Sequence, residues 1–138
     1  MTSNTAPYGT VNRSSAYSNT YEGYKAFDNT TAHWATVKVN SLDKEYISYT
    51  FKNEVTPYAV YIKGGGDGSD KSIKHLYVYI DNTLVAEYEN TENKRDFIFV
   101  SNLTHIRGST IKVEVEPFVT GYAVGIERII VHGLDHVE

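Results

Sequence analysis

Few side chains in this sequence are arranged to catalyse a reaction. The chain has five histidines and no cysteine, which excludes thiol nucleophiles, thiolate metal sites and disulfide bonds. His132 and His136 have a four-residue spacing, but that spacing puts two ligands on one face only in a helix, and this segment is predicted as a strand followed by a tail. Neither Gly-x-Ser-x-Gly nor His-Glu-x-x-His is present. The sequence therefore favours a binding module over an enzyme.

The glycine-rich run at residues 64–70, Gly-Gly-Gly-Asp-Gly-Ser-Asp, could form a phosphate-binding loop or a calcium-binding loop. A phosphate-binding loop needs a following helix and a Lys-Ser/Thr pair, and a calcium-binding repeat needs periodic copies. The sequence has neither feature. Glycine commonly interrupts regular structure, so we expect a connecting loop at one end of the domain.

Aromatic side chains in irregular segments are better candidates for a binding surface. Phe118 and Tyr122 lie in a short segment between Pro117 and Gly125, and a purely structural loop rarely exposes two large aromatics. An earlier polar segment supplies further tyrosines: Tyr17, Tyr21 and Tyr24. A few polar side chains could orient a ligand's hydroxyl groups. The candidates for that role are His33, Lys38, Asn40 and Arg107.

The segments that must position these residues read as short β-strands. Period-two alternation recurs along the chain and helical periodicity is nearly absent. Strands are predicted at 46–51, 58–62, 75–81, 83–88, 97–100, 111–116 and 125–133. Residues 52–54 are expected to close the first strand, Asp81-Asn82 to form a hairpin turn, and Pro117 to end its strand. Inward faces are predicted for Leu76, Val78, Ile80, Ile111, Val113 and Val115.

Composition and charge narrow the classes of protein that fit. The 138 residues, 41 % hydrophobic and 22 % charged, suit one globular domain, and 12 tyrosines suit half-buried sheets. A net charge of −4 argues against a nucleic-acid partner. The first residues have no apolar signal-peptide region, and no segment reaches membrane-spanning length. We expect a chain made without Sec export, a module of a longer protein, or a component of a particle such as a phage virion.

Four segments together resemble the discoidin family, also called F5/8 type C, which overlaps the galactose-binding carbohydrate modules. The segments are 25–34 (Lys-Ala-Phe-Asp-Asn-Thr-Thr-Ala-His-Trp), 46–51, 75–81 and 126–133. Their order and spacing carry the resemblance. It implies an all-β, antiparallel jelly-roll β-sandwich over about residues 14–133 of a single domain. It also implies that Trp34 packs in the core beneath the early loop.

The resemblance further implies a structural Ca²⁺ between the early loop and the last strand. The positions that match the family's ligands are the carbonyl of Lys25, Asp28, Thr30 or Thr31, and Glu127, and Ca²⁺ prefers such oxygen donors. The loop departs from the family pattern, since Ala32 stands where a threonine is common and residues 28–34 are one residue short. Alternatively, Glu127 pairs with Lys25 or Arg128, or caps backbone amides of the early loop.

These observations lead to a first hypothesis, a non-catalytic module that binds glycans through loops at one end of the jelly roll. The alternative is a structural, adhesion or decoration domain of a phage virion (tail fibre, baseplate or head), acting through protein contacts. Either would face the extracellular side. A membrane-binding relative, with residues 36–42 as an apolar spike, fits the acidic charge less well. Tyr77 and Tyr79, outward on one strand, suggest a homo-oligomer contact.

Overall fold

Eight strands make up most of the part of the chain that the computed structural model describes. The described residues are 9–16, 18–21, 26–27, 34–36, 44–64, 73–90, 96–100, 106–117 and 124–135. The strands are β1 (Gly9–Arg13), β2 (Trp34–Ala35), β3 (Glu45–Gly64), β4 (Ile73–Ile80), β5 (Thr83–Glu89), β6 (Asp96–Val100), β7 (Gly108–Pro117) and β8 (Gly125–Asp135), and a 3₁₀ turn spans Asn19–Tyr21. Within these residues no helix is long and apolar enough to cross a membrane.

The 20-residue strand β3 belongs to both layers of the fold. Its first half pairs with β1 and β7, and its second half pairs with β6 and β8, always antiparallel. The first layer then extends from β7 to β4 and β5, and the second from β8 to β2. The pairing register shifts between Thr50 and Val55, where β3 passes from one layer to the other.

The prediction that residues 52–54 end a strand is therefore wrong. Lys52 and Glu54 are exposed, as their polarity suggests, but the strand continues through them to Gly64. An irregularity in pairing bends a strand and lets it change partners without ending it. The polar triplet marks that bend in β3.

The inward faces of the two layers form one core. The first layer contributes buried residues from β3, β4 and β7, and the second layer contributes them from β3 and β8. They include Ile47, Tyr49, Leu76, Val78, Ile80, Ile111, Val113, Val115, Val60, Ile62, Ile126, Ile129 and Val131. The predicted inward faces of β4 and β7 are thus confirmed, and so is the all-β jelly-roll β-sandwich.

The hairpin predicted at Asp81-Asn82 is confirmed by the backbone. Both residues have positive φ, 46° and 68°, a conformation that aspartate and asparagine tolerate better than most residues. The carboxylate of Asp81 accepts hydrogen bonds from the backbone amides of Ser109, at 3.1 Å, and Thr110, at 3.0 Å. The turn is therefore attached to the start of β7.

The pairing registers sort the ends of the strands into two groups. We call one group the turn end: it comprises the Asp81-Asn82 turn, the bend of β3 at residues 51–54, and the start of β7, where Gly108 lies opposite Val55. We call the other the loop end: it comprises the starts of β3, β4, β6 and β8 and the ends of β1, β3, β5 and β7. The long connections 37–43, 65–72, 91–95 and 118–123 begin and finish there.

Replacing Asp81 with alanine should destabilise the domain by about 1–2 kcal/mol, because two backbone amides lose a charged acceptor. The free energy of unfolding in urea measures the loss. Asp81→Asn keeps one acceptor oxygen and tolerates the same φ, so it serves as the matched control and should lose less. Equal stability of Asp81→Ala and the parent chain would contradict the role given to this carboxylate.

Candidate functional site

Trp34 holds the loop end together. Its side chain is fully buried, and its two-residue strand pairs with the start of β8 at Ile126. The indole Nε1 donates a hydrogen bond of 2.8 Å to the carbonyl oxygen of Ser15, just beyond β1. Trp34 thus joins the second layer to the end of the first. The prediction that Trp34 packs in the core is confirmed, so it is unsuited to stack on a ligand from solvent.

Thr36 attaches the start of connection 37–43 to Val124 at the loop end. Its backbone amide donates to the carbonyl of Val124 at 2.9 Å, and the amide of Val124 donates back to the Thr36 hydroxyl at 3.1 Å. Thr36 and Val124 are both buried. The segment that leaves Thr36 therefore starts beside the segment that arrives at Val124, which carries Phe118 and Tyr122.

Asn90 attaches the end of β5 to the start of β4 in the first layer. Its side-chain amide donates to the carbonyl of Ile73 at 2.8 Å, and its backbone amide donates to the carbonyl of Lys74 at 2.8 Å. Asn90 is buried, so both bonds are shielded from water. The end of β5 and the start of β4 are thereby held side by side at the loop end.

A carboxylate and two serine hydroxyls also meet at the loop end. Glu45, the first residue of β3, accepts hydrogen bonds through Oε1 from Ser14 at 2.9 Å and from Ser15 at 2.5 Å. The amide of Tyr46 donates to the Ser14 hydroxyl at 2.9 Å. Sequence reasoning missed this cluster, because Glu45 and the serines are about thirty residues apart and only the strand pairing joins them. Carboxylates and hydroxyls are groups that can bond the hydroxyls of a ligand.

Most of the ligand-contacting residues predicted from the sequence lie outside the described residues. These are Tyr17, Tyr24, His33, Lys38, Asn40, Phe118 and Tyr122. For Tyr21 the structure describes the backbone, as the last residue of the 3₁₀ turn. The segments that carry these residues are nevertheless bounded by described residues of the loop end, chiefly Ser15, Thr36 and Val124. Their assignment to a ligand stays a prediction.

Arg107 lies at the turn end, apart from the other predicted ligand-contacting residues. It directly precedes β7, and its Nε donates to Glu54 Oε1 at 2.9 Å. Both side chains are about half exposed, so this ion pair contributes little to stability. Arg107 thus has a partner at the bend of β3, and its contact with a ligand stays a prediction.

Glu127 is the one predicted calcium ligand among the described residues; Lys25, Asp28, Thr30 and Thr31 lie outside them. Its Oε2 lies 2.8 Å from the ammonium of Lys63, a partner that sequence analysis did not name. Within the described ranges no three histidine, aspartate or glutamate side chains are grouped to hold a metal. The Lys63 ammonium thus neutralises the carboxylate of Glu127 with a side chain of the protein itself. Calcium here stays a prediction.

Tyrosines on the outer face of the first layer are covered by lysines. The ring of Tyr77 stacks on His75, with centroids 4.3 Å apart, and the ammonium of Lys44 lies 4.2 Å from its centroid. The ammonium of Lys112 lies 4.7 Å from the Tyr79 ring in the same way. These cation–π contacts occupy ring surface that a partner would otherwise use. The homo-oligomer contact expected at Tyr77 and Tyr79 stays a prediction.

The hydroxyl of Tyr77 is held as a hydrogen-bond donor. It donates to Glu116 Oε1 at 2.6 Å, and this bond, together with burial and the negative charge of Glu116, raises the pKa of Tyr77 to about 12. Burial is the main cause that raises the pKa of Tyr79, followed by a hydrogen bond to Glu114. The outer face of the first layer is thus an ordered network of tyrosines, carboxylates and lysines.

Comparison with known proteins gives structural neighbours. No family model matches the chain, and no curated protein matches it. Among solved structures, the family 32 carbohydrate-binding module of NanJ from C. perfringens, in complex with galactose, has a TM-score of 0.78 and 19 % identity and covers 94 % of this chain and 97 % of its own. Chitosan-binding module 2 of a chitosanase/glucanase from Paenibacillus sp. IK-5, in complex with chitotriose, has a TM-score of 0.76 and 16 % identity, with 91 % and 96 % covered.

A third neighbour is a fucolectin from striped bass serum, with a TM-score of 0.77 and 15 % identity. The match covers 98 % of this chain and 50 % of the fucolectin chain. At such identities the likeness shows the fold. The chain therefore has the discoidin-like, galactose-binding-domain-like fold, as the sequence resemblance implied.

The raised pKa of Tyr77 predicts a loss of stability at alkaline pH. The folded protein keeps this proton up to about pH 12, whereas the unfolded chain releases it near the ordinary value of 10.0, so the free energy of unfolding should fall between those values. In Tyr77→Phe the fall should be smaller. Urea unfolding across that pH range measures it, with Tyr46→Phe on the same face as the control. An identical pH dependence in Tyr77→Phe and the parent would count against the bond to Glu116.

Proposed function

We propose that this domain is a non-catalytic module that binds glycans at the loop end. The observation that carries the proposal is the convergence of connections there. Trp34, Thr36 and Asn90 fasten strand ends at which segments 37–43, 65–72, 91–95 and 118–123 begin or finish. The solved structures that share the fold include modules in complex with galactose and with chitotriose.

A binding surface at this end would combine aromatic and polar contacts. Phe118, Tyr122 and the tyrosines of the early segment would stack on the apolar faces of pyranose rings. Glu45 lies at the same end, half buried and already held by two serine hydroxyls. Its position is fixed before any ligand arrives, so little conformational freedom remains to be lost on binding. Lys38, Asn40 and His33 would bond further hydroxyls.

The turn end offers less to a ligand. Its hairpin connection has two residues, and the carboxylate of Asp81 is already bonded to two backbone amides. The Arg107–Glu54 pair is exposed and mutually satisfied. These contacts stabilise the fold. Connection 101–105 leads from β6 to β7 at this end, whereas connections 37–43, 65–72, 91–95 and 118–123 belong to the loop end.

Phe118→Ala or Tyr122→Ala should weaken glycan binding by about tenfold to a hundredfold, as loss of a stacking contact worth ~1–3 kcal/mol would do. A panel of galactose-, fucose- and glucosamine-containing oligosaccharides first identifies the ligand, and calorimetric titration then compares the variants. Tyr46→Ala is the matched control, because Tyr46 is a 36 % exposed tyrosine on the outer face of the first layer.

The melting temperature of each variant must be measured beside its affinity. The melting temperatures of the two loop variants should be nearly unchanged, and Tyr46→Ala should bind fully. Undiminished binding by both loop variants, or a collapse of folding in either, would place the ligand site elsewhere. Failure of the parent to bind any member of the panel would count against glycan recognition itself.

We also propose that the module faces the extracellular side and acts as a surface or virion component. A role in a phage tail fibre, baseplate or head would use the same loop end for host adhesion or for contacts with neighbouring subunits. Glycan binding and adhesion are compatible, since adhesion can proceed through a surface glycan.

Calcium is proposed as a structural ion of the loop end. The carbonyl of Lys25 with Asp28, Thr30 or Thr31 and Glu127 would hold it, and it would supply positive charge that fastens the early loop to β8. If so, millimolar Ca²⁺ should raise the melting temperature, since a ligand of the native state stabilises that state by mass action. Asp28→Ala should abolish the rise. A melting temperature that changes neither with Ca²⁺ nor with a chelator would refute the proposal.

A further inference from the structure

The side chain of Glu45 lies where the core of the sandwich meets the loop end. Side chains two apart along a strand share a face, and Ile47 and Tyr49 of β3 are fully buried, so Glu45 belongs to the face directed at the other layer. It is the first residue of β3 and is half buried. Its hydrogen-bond partner Ser15 also accepts the indole of Trp34, through the backbone carbonyl. The carboxylate is therefore placed between the two layers at the loop end.

The groups that bond the carboxylate of Glu45 are neutral. Its Oε1 accepts hydrogen bonds from the hydroxyls of Ser14, at 2.9 Å, and Ser15, at 2.5 Å. Among the described residues, no other group donates to this carboxylate, and no ammonium or guanidinium forms an ion pair with it. Two hydroxyls orient a carboxylate but leave its negative charge uncompensated.

The lysine next to Glu45 in the chain serves the opposite face of the layer. The ammonium of Lys44 lies 3.9 Å from Glu114 and 4.2 Å from the ring centroid of Tyr77, both on the outer face of the first layer. Alternation along the strand thus separates this lysine from the carboxylate beside it. Glu45 differs in this respect from Glu127, which a lysine of the same chain neutralises.

We infer that Glu45 makes the glycan site selective for amino sugars, such as glucosamine, over neutral and acidic sugars. This selectivity rests on the proposed function, and it names the chemical class of the ligand. A protonated sugar amine brings the positive charge that the carboxylate lacks, and a charge-assisted hydrogen bond is stronger than one between neutral groups. The net charge of −4 acts in the same direction, because it attracts a cationic glycan and repels an acidic one.

Chitotriose and its fully N-acetylated counterpart test this selectivity, because they differ only in whether the nitrogen can carry a charge. In calorimetric titration, at a pH that keeps the amines protonated, the parent should bind chitotriose about tenfold or more tightly than the acetylated trimer. Glu45→Gln keeps the size of the side chain and an oxygen for the serine hydroxyls but removes the charge, so it should bind both trimers with nearly equal affinity. Glu54→Gln is the matched control, because it removes one negative charge at the turn end and should keep the preference.

The melting temperature shows whether each variant folds. Glu45→Asp takes the place of Glu45→Gln if the latter fails to fold; it withdraws the charge by one methylene group, so the preference should fall in it as well. Equal or tighter binding of the acetylated trimer by the parent, or a preference that survives in the folded Glu45 variant, would overturn the inference. Binding of neutral glycans alone would overturn it and leave the proposed function standing, whereas failure to bind any glycan would overturn both.

Discussion

One hydrogen bond at the loop end joins the two layers of the domain. The buried indole of Trp34 donates to the carbonyl of Ser15, so the edge of the second layer is fixed to the end of β1 in the first. Because β3 belongs to both layers, its bend at residues 51–54 brings their ends together, and Trp34 fastens them on the opposite side. A buried polar group must keep its partner, which makes this bond a constraint on every conformation the domain adopts.

The two ends of the sandwich consequently serve different purposes. At the turn end, the carboxylate of Asp81 holds a tight hairpin against β7. At the loop end, the hydrogen bonds of Thr36 and Asn90 fix the residues at which long connections begin or finish. A rigid scaffold with variable loops is the usual arrangement for recognition. The charged network around Tyr77 and Tyr79 covers the outer face of the first layer with its own lysines.

Alternation in the sequence predicted most strands, the turn residues predicted the hairpin at Asp81-Asn82, and the family resemblance predicted the burial of Trp34. Alternation failed at residues 52–54, where polarity resembles a turn but strand pairing on both sides continues β3. It also missed Lys63 as the partner of Glu127, because the contact requires the β3–β8 register and its irregularity. The position of Arg107 at the turn end could not be predicted for a similar reason: the end of a sandwich at which a residue lies depends on the topology and not on its neighbours in the chain.

Nuclear magnetic resonance mapping of a bound oligosaccharide locates the ligand on the domain, because it reports the backbone amides together and changes no side chain. Ligand-dependent shifts are expected at Ser15, Thr36 and Val124 and in the connections beside them, with Asp81, Asn82 and Ser109 unmoved. Shifts concentrated at the turn end, or on the outer face around Tyr77, would contradict a glycan site at the loop end.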